Sequence, residues 1–139
     1  MSRTPDDAPF QPLPLAVLTV SDSRTEADDT SGDYLREQAE AAGHKVVEKI
    51  ICRDERYQLR ALFSRWIADS DVRVVISTGG TGITGRDSTP EAVLPLFDKT
   101  VDGFGELFRH ISYQEIGAST VQSRAFAGID NGTLIFCLP

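Results

Sequence analysis

A glycine-rich run set between a β-branched segment and a proline-led helix start constrains this chain more than any other feature. The run is Ser77-Thr78-Gly79-Gly80-Thr81-Gly82-Ile83-Thr84-Gly85-Arg86-Asp87-Ser88-Thr89-Pro90. Ahead of it, Val72 to Ile76 is apolar enough for a strand buried on both faces. Behind it, Ser88 or Thr89 can cap a helix, Pro90 suits the first turn, and Glu91 favours the positive helix end. Strand, glycine loop and helix start in that order make an anion site. Amides approach a ligand closely where no Cβ intervenes, and the helix dipole adds positive potential. Phosphate is the anion expected there.

Two familiar phosphate motifs fit this run poorly. Gly80, Gly82 and Gly85 spell GxGxxG, but that fingerprint should close the first strand of a βαβ unit and open the helix with its glycines. Here the run follows the third expected strand, and the helix begins after the glycines. A P-loop would need Lys and Ser or Thr where Arg86 and Asp87 stand. A carboxylate at Asp87 would repel a phosphate unless a cation lay between them, so the sequence itself calls for a cation.

The remaining chain alternates strands with helices. Leu15 to Val20 reads as the first strand, with Ser21-Asp22-Ser23-Arg24 at its carboxyl end, where ligands collect in open α/β sheets. Ser31 is placed to cap a helix through Leu35, Ala39 and Ala42, which Gly43 stops. Lys45 to Cys52 is the second strand. Leu59, Leu62, Phe63, Trp66 and Ile67 then fall at i, i+3, i+4, i+7 and i+8, which makes Trp66 a core residue. Asp54, between strand and helix, taken alone suits a cap. After the glycine run, Ala92 to Phe97 gives a short amphipathic helix, interrupted by Gly103 and Gly105 before Phe104, Leu107, Phe108 and Ile111 resume the spacing. Asn131-Gly132 signals a turn before a last strand at Thr133 to Leu138. The expected fold is an α/β three-layer sandwich, a mostly parallel central sheet with helices on both faces.

Bulk properties exclude several classes. The 139 residues suit one domain, with residues 1–14 a flexible or extended lead-in and 15–139 the folded unit. A net charge of −7 argues against nucleic acid, whose phosphates demand a basic face. No apolar run approaches the ~20 residues of a membrane span, and the start lacks a signal-peptide pattern. Cys52 and Cys137 read as small core residues, and His44 and His110 stand apart from other ligands. A cytoplasmic location is expected.

The segment Thr78 to Ala92 resembles the signature of the MoaB/MogA family of molybdenum-cofactor biosynthesis proteins, and looks closest to its MoaB branch. The likeness continues in Thr19-Val20-Ser21-Asp22, Asp29-Thr30-Ser31-Gly32, Val101 to Glu106, Ile116 to Thr120 and Gln122 to Ala125. It runs from about Leu15 to Pro139 and implies a Gly-Ser-Pro-like loop and a helix beyond. Members bind molybdopterin, and MogA-like ones adenylylate its terminal phosphate with Mg-ATP, releasing pyrophosphate. Carried onto this chain, Asp87 and Asp54 become the catalytic acids and the Mg²⁺ ligands. Ser21, Asp22, Ser31, Gly32, Thr78, Gly79, Gly80, Thr81, Gly82, Arg86 and Ser88 become the substrate-binding set. Arg86 either meets phosphate or pairs with a neighbouring acid. A Cβ at Gly80 is expected to intrude on the ligand and cost affinity without unfolding the domain. The resemblance also implies a homotrimer or homohexamer, with other molybdenum-cofactor biosynthesis proteins as further partners. Its alternative to an enzyme is a non-catalytic molybdopterin carrier; an assembly role is a third reading, since gephyrin carries the same domain.

Overall fold

The computed structural model describes residues 8–139, and the first half of the expected lead-in lies outside them. Residues 8–13 form no regular element but are not free of the body. The Phe10 ring lies 5.2 Å from that of His44, and the Leu13 amide donates to His44 Nδ1.

Six strands follow: β1 (Pro14–Val20), β2 (Lys45–Cys52), β3 (Val74–Thr78), β4 (Lys99–Thr100), β5 (Phe126–Asp130) and β6 (Thr133–Leu138). Four helices accompany them: α1 (Thr30–Ala41), α2 (Arg56–Ala68), α3 (Thr89–Val93) and α4 (Asp102–Ile116). The sheet order is β2-β1-β3-β6-β5-β4. β1 pairs in parallel with β2 and β3, and β6 in parallel with β3, while β5 runs antiparallel to β6 and β4 to β5. This is the expected α/β sandwich. Its antiparallel edge comes from the Asn131-Gly132 turn, whose two residues both take positive φ, 49° and 77°, as a two-residue hairpin requires.

The layers follow from which strand residues face which helices. Leu59, Phe63 and Trp66 of α2 pack with Ala92 and Val93 of α3 against Ala16, Leu18, Val75, Ile135 and Cys137. On the opposite face, Ala39 of α1 meets Leu15 and Val74, while Phe104 of α4 stands edge-on to Phe136 at 5.2 Å. Trp66 is fully buried, as its spacing requires, and its Nε1 donates to Glu48 at 2.6 Å. Among the described residues, no helix is long and apolar enough to cross a membrane.

Three local expectations are corrected. Asp29, not Ser31, caps α1, because its carboxylate accepts the Gly32 amide at 3.0 Å. Glu55, not Asp54, caps α2 through the Gln58 amide at 2.7 Å. Gly103 and Gly105 do not interrupt a helix but lie in the first turn of α4, after β4. At Gly105 an added Cβ would come within 2.9 Å of the Ala125 carbonyl, so that glycine permits α4 to approach the segment before β5.

One carboxylate lies far from any ligand feature. Asp130 is 1% exposed; burial, with the Asp98 carboxylate adding to it, raises its pKa from 3.8 to about 6 despite the amide Asp98 donates to it. A folded pKa above the unfolded one supplies stability that is full below about pH 4 and lost as pH rises through about 6. Asp130→Asn keeps an acceptor for that amide and cannot ionise. It should therefore raise stability at pH 7 by about 2 kcal/mol and flatten the pH 4–6 limb of urea midpoints.

Candidate functional site

The carboxyl ends of β1 and β3 and the start of α1 converge on one edge of the sheet. The glycine loop leaves β3 there with Gly79 and Gly80 both at positive φ, 100° and 75°. Those glycines serve the protein's own packing. A Cβ on Gly79 would lie 2.3 Å from the Val20 carbonyl, and one on Gly80 2.2 Å from Thr89 Oγ1. The expectation that a Cβ at Gly80 would meet the ligand while sparing the fold is therefore corrected, since it meets Thr89 and Asp54 first. The Gly79 amide is likewise engaged, donating to the Leu138 carbonyl at 2.9 Å. The amides of Gly80 and Thr81 have no protein acceptor among the described residues.

Asp54 and Asp87 flank this loop. Asp54, buried at the end of β2, accepts the Ser88 amide at 3.0 Å and the Ser88 hydroxyl on Oδ1, and its Oδ2 lies against Gly80. Ser88 is the residue before α3, yet its hydroxyl serves Asp54 and makes no capping bond. Asp87 stands beside Gly82, and its Oδ2 accepts the Thr84 amide at 2.9 Å and the Thr84 hydroxyl at 2.7 Å. Those bonds, against a smaller opposing effect of burial and with help from Arg124, hold its carboxyl below the usual range. Asp87 is ionised at neutral pH. Asp54 Oδ2 makes no hydrogen bond to the described residues, whereas the Asp87 carboxylate takes the Gly82 amide as well as Thr84.

Arg86 pairs with an acid. Its guanidinium meets both oxygens of Asp22 at 2.8 Å, and that contact lowers the Asp22 carboxyl pKa and raises that of Arg86. Asp22 Oδ1 also accepts the Asp54 amide at 3.2 Å, so the β1 loop, the start of α2 and the glycine loop are tied together. Ser21 turns its hydroxyl to the amides of Ser23 and Arg24, shaping the β1 loop.

A cavity of about 240 Å³ opens between Thr19, Ser21, Arg24, Ser31, Thr78 and Gly79. A larger one of about 420 Å³ lies beside it, lined by Thr30, Ser31, Tyr34, Thr78 and Phe108 among others. Ser31 and Thr78 line both. Gly32 lines neither. It is buried, its amide goes to Asp29, and a Cβ there would fall 2.2 Å from the Asp29 carboxylate. Thr81 is also buried, its hydroxyl without a partner.

Behind α1 lies a group the sequence reading assigned no role. Lys49 of β2, with its side chain 6% exposed, reaches Asp29 at 2.7 Å and Asp33 and Glu26 at 3.4 Å. Thr19 donates to the same Asp29 carboxylate at 2.9 Å. Burial would raise the Asp29 pKa, but Lys49, Thr19 and the Gly32 amide outweigh it and keep the carboxyl ionised. An inward lysine one residue before Ile50 was the available signal, hidden because a lysine in an edge strand reads as solvent-facing.

An open α/β sheet with a glycine loop flanked by acids at its strand ends is the arrangement of α/β proteins that take ligands at the carboxyl edge of the sheet. A family model described as "Probable molybdopterin binding domain" matches residues 16–139. The chain is 59% identical over 130 residues to molybdenum cofactor biosynthesis protein B of Escherichia coli strain K12, covering 94% of this chain and 76% of that one. A crystal structure of a molybdenum cofactor biosynthesis protein B superposes with a TM-score of 0.89 at 44% identity, covering 93% of this chain and 81% of that one. The tungsten cofactor synthesizing protein MoaB from Pyrococcus furiosus gives 0.82 at 42% identity, over 95% and 84%. The chain belongs to the MoaB branch of the MoaB/MogA family of molybdenum-cofactor biosynthesis proteins, with residues 16–139 as its molybdopterin-binding domain.

Proposed function

We propose that this protein binds molybdopterin and adenylylates its terminal phosphate with Mg-ATP. An oxygen of that phosphate attacks the α-phosphorus of ATP, the bond to the β-phosphate oxygen breaks, and pyrophosphate leaves. The carrying observation is the pair of carboxylates of Asp54 and Asp87, set on either side of one glycine loop. Mg²⁺ commonly binds through one or two carboxylates together with substrate phosphates, and these residues suit that mode. It would neutralise charge on the triphosphate. Gly80 and Thr81 would offer backbone donors to phosphate oxygens, with Gly82 at the turn beside them, and Arg86 would add positive charge on exchanging Asp22 for phosphate. Ser21, Ser31 and Thr78, around the two cavities, orient the pterin substrate. Pyrophosphate release that requires both molybdopterin and Mg-ATP is the expected result, and binding without release would sink the transferase reading.

A carrier without turnover is the second reading. It is favoured by the engagement of Arg86 with Asp22 and of Asp87 with Thr84, which ties both side chains to the protein itself. Trimeric assembly, or pairs of trimers, belongs to the same proposal. The expected apolar face of α4 divides. Phe104 and Phe108 turn inward, whereas Leu107 and Ile111 stay 59% and 52% exposed and available for burial between subunits. Sedimentation should give a multiple of three 15.2 kDa chains; a stable monomer at micromolar concentration would refute it.

A further inference from the structure

Arg124, two residues before β5, is far from the glycine loop in sequence, yet its guanidinium meets three points around it. Nε donates to the Gly82 carbonyl at 2.7 Å, Nη2 to the Asp87 carbonyl at 2.8 Å, and Nη1 to the Glu91 carboxylate. Its own amide donates to the Thr81 carbonyl at 2.8 Å. The loop is thus pinned at both ends by one rigid group, while Ile83 to Arg86 between them stay exposed. Arg60 of α2 holds the next segment, donating to the carbonyls of Glu91 and Ala92 at 2.9 and 3.0 Å.

The clamp fixes peptide direction. In a trans peptide the carbonyl and the following amide point opposite ways. Arg124 takes the carbonyl of the Asp87–Ser88 peptide, and the amide of that same peptide donates to Asp54. One peptide unit therefore links Arg124 to the Asp54 carboxylate, and its first residue carries the Asp87 carboxylate. Holding the Gly82 and Asp87 carbonyls against a cation also keeps two negative dipole ends away from a phosphate ligand. A guanidinium can do this because its donors form a fixed planar fork; an ammonium group cannot span the three acceptors.

We propose that Arg124 is a positioning residue, which sets the loop and the two flanking acids in their working arrangement without touching substrate. This deepens the adenylyl-transfer reading and rests on it. The test uses Arg124→Ala and Arg124→Lys, with Arg124→Lys carrying the same measurements should the alanine variant fail to fold. Amide hydrogen exchange of Ile83 to Ser88 is measured without ligand, Mg-ATP affinity by calorimetry, and pyrophosphate release with molybdopterin and Mg-ATP. Loop exchange should quicken by about tenfold or more and kcat should fall about as far, with KM changing less. Millimolar guanidinium should restore part of both in Arg124→Ala, and methylammonium should not. Unchanged loop exchange overturns the proposal. So does a rate loss that tracks only the unfolded fraction and resists guanidinium. A wild-type protein that binds both substrates and releases no pyrophosphate overturns the transfer reading instead. The clamp is then judged on loop exchange, and overturned if that matches wild type.

Discussion

Asp87→Asn is expected to slow adenylyl transfer by roughly 10²-fold or more, about 3 kcal/mol of lost stabilisation. The substitution keeps the shape of the side chain, and its amide oxygen can still accept from Thr84, whose two bonds to Asp87 shape the loop. What it removes is the negative charge that would offset a bound cation. Molybdopterin affinity should change far less, because the amides of Gly80 and Thr81 remain. Asp54→Asn should act in the same direction while preserving an acceptor for Ser88. The double variant should fall well short of additive if both acids serve one ion. A purely structural Asp87 predicts the reverse pattern, a lower Tm with unchanged rate per folded molecule. Rate and Tm measured on the same preparations separate the two, and a near-normal rate in folded Asp87→Asn ends its role as a metal-holding acid.

The second large effect is on stability. Lys49→Met leaves Asp29, 1% exposed, as a buried carboxylate without its cation, and should cost about 3–5 kcal/mol. Thr19 and the Gly32 amide still donate to Asp29, which sets the lower end of that range. Adding Asp29→Asn should recover much of the loss, since the stranded charge is then gone. The pH dependence follows from the depressed Asp29 pKa. In the wild type its contribution is present above the unfolded carboxyl pKa and is lost as pH falls through the folded value. Denaturant midpoints of the single and double variants check both statements; a Lys49→Met protein as stable as wild type would refute the buried pair.

Periodicity carried much of the fold into the sequence. Leu59, Phe63 and Trp66 fall on one helix stripe and are fully buried, and the β-branched runs became the parallel strands. β4 and β5 were not legible. β4 has two exposed residues and no pattern of its own, and β5 gains its place from pairing with β6. The glycine loop and its flanking acids were readable because close approach and charge are written in residue type. The roles of Arg124 and Lys49 were not, since each acts across a tertiary contact that no local spacing encodes. The structural duty of Gly32 was not legible either, since its small size makes room for a buried acid met only in the fold.

The position of β6 has a temporal consequence. It is the last strand in chain order, yet it sits between β3 and β5, with Leu134 beside Val74. Such a parallel pairing must await closure of a long intervening segment, which makes it among the slower contacts to form. The Gly79 amide is held by Leu138, and the Thr78 hydroxyl by Pro139, at the end of that strand. The glycine loop therefore acquires its final anchors only when the sheet is closed. If the loop binds ligand as proposed, competence to bind is a late acquisition in the life of each chain, and a nascent copy presents the glycines without the geometry that gives them meaning.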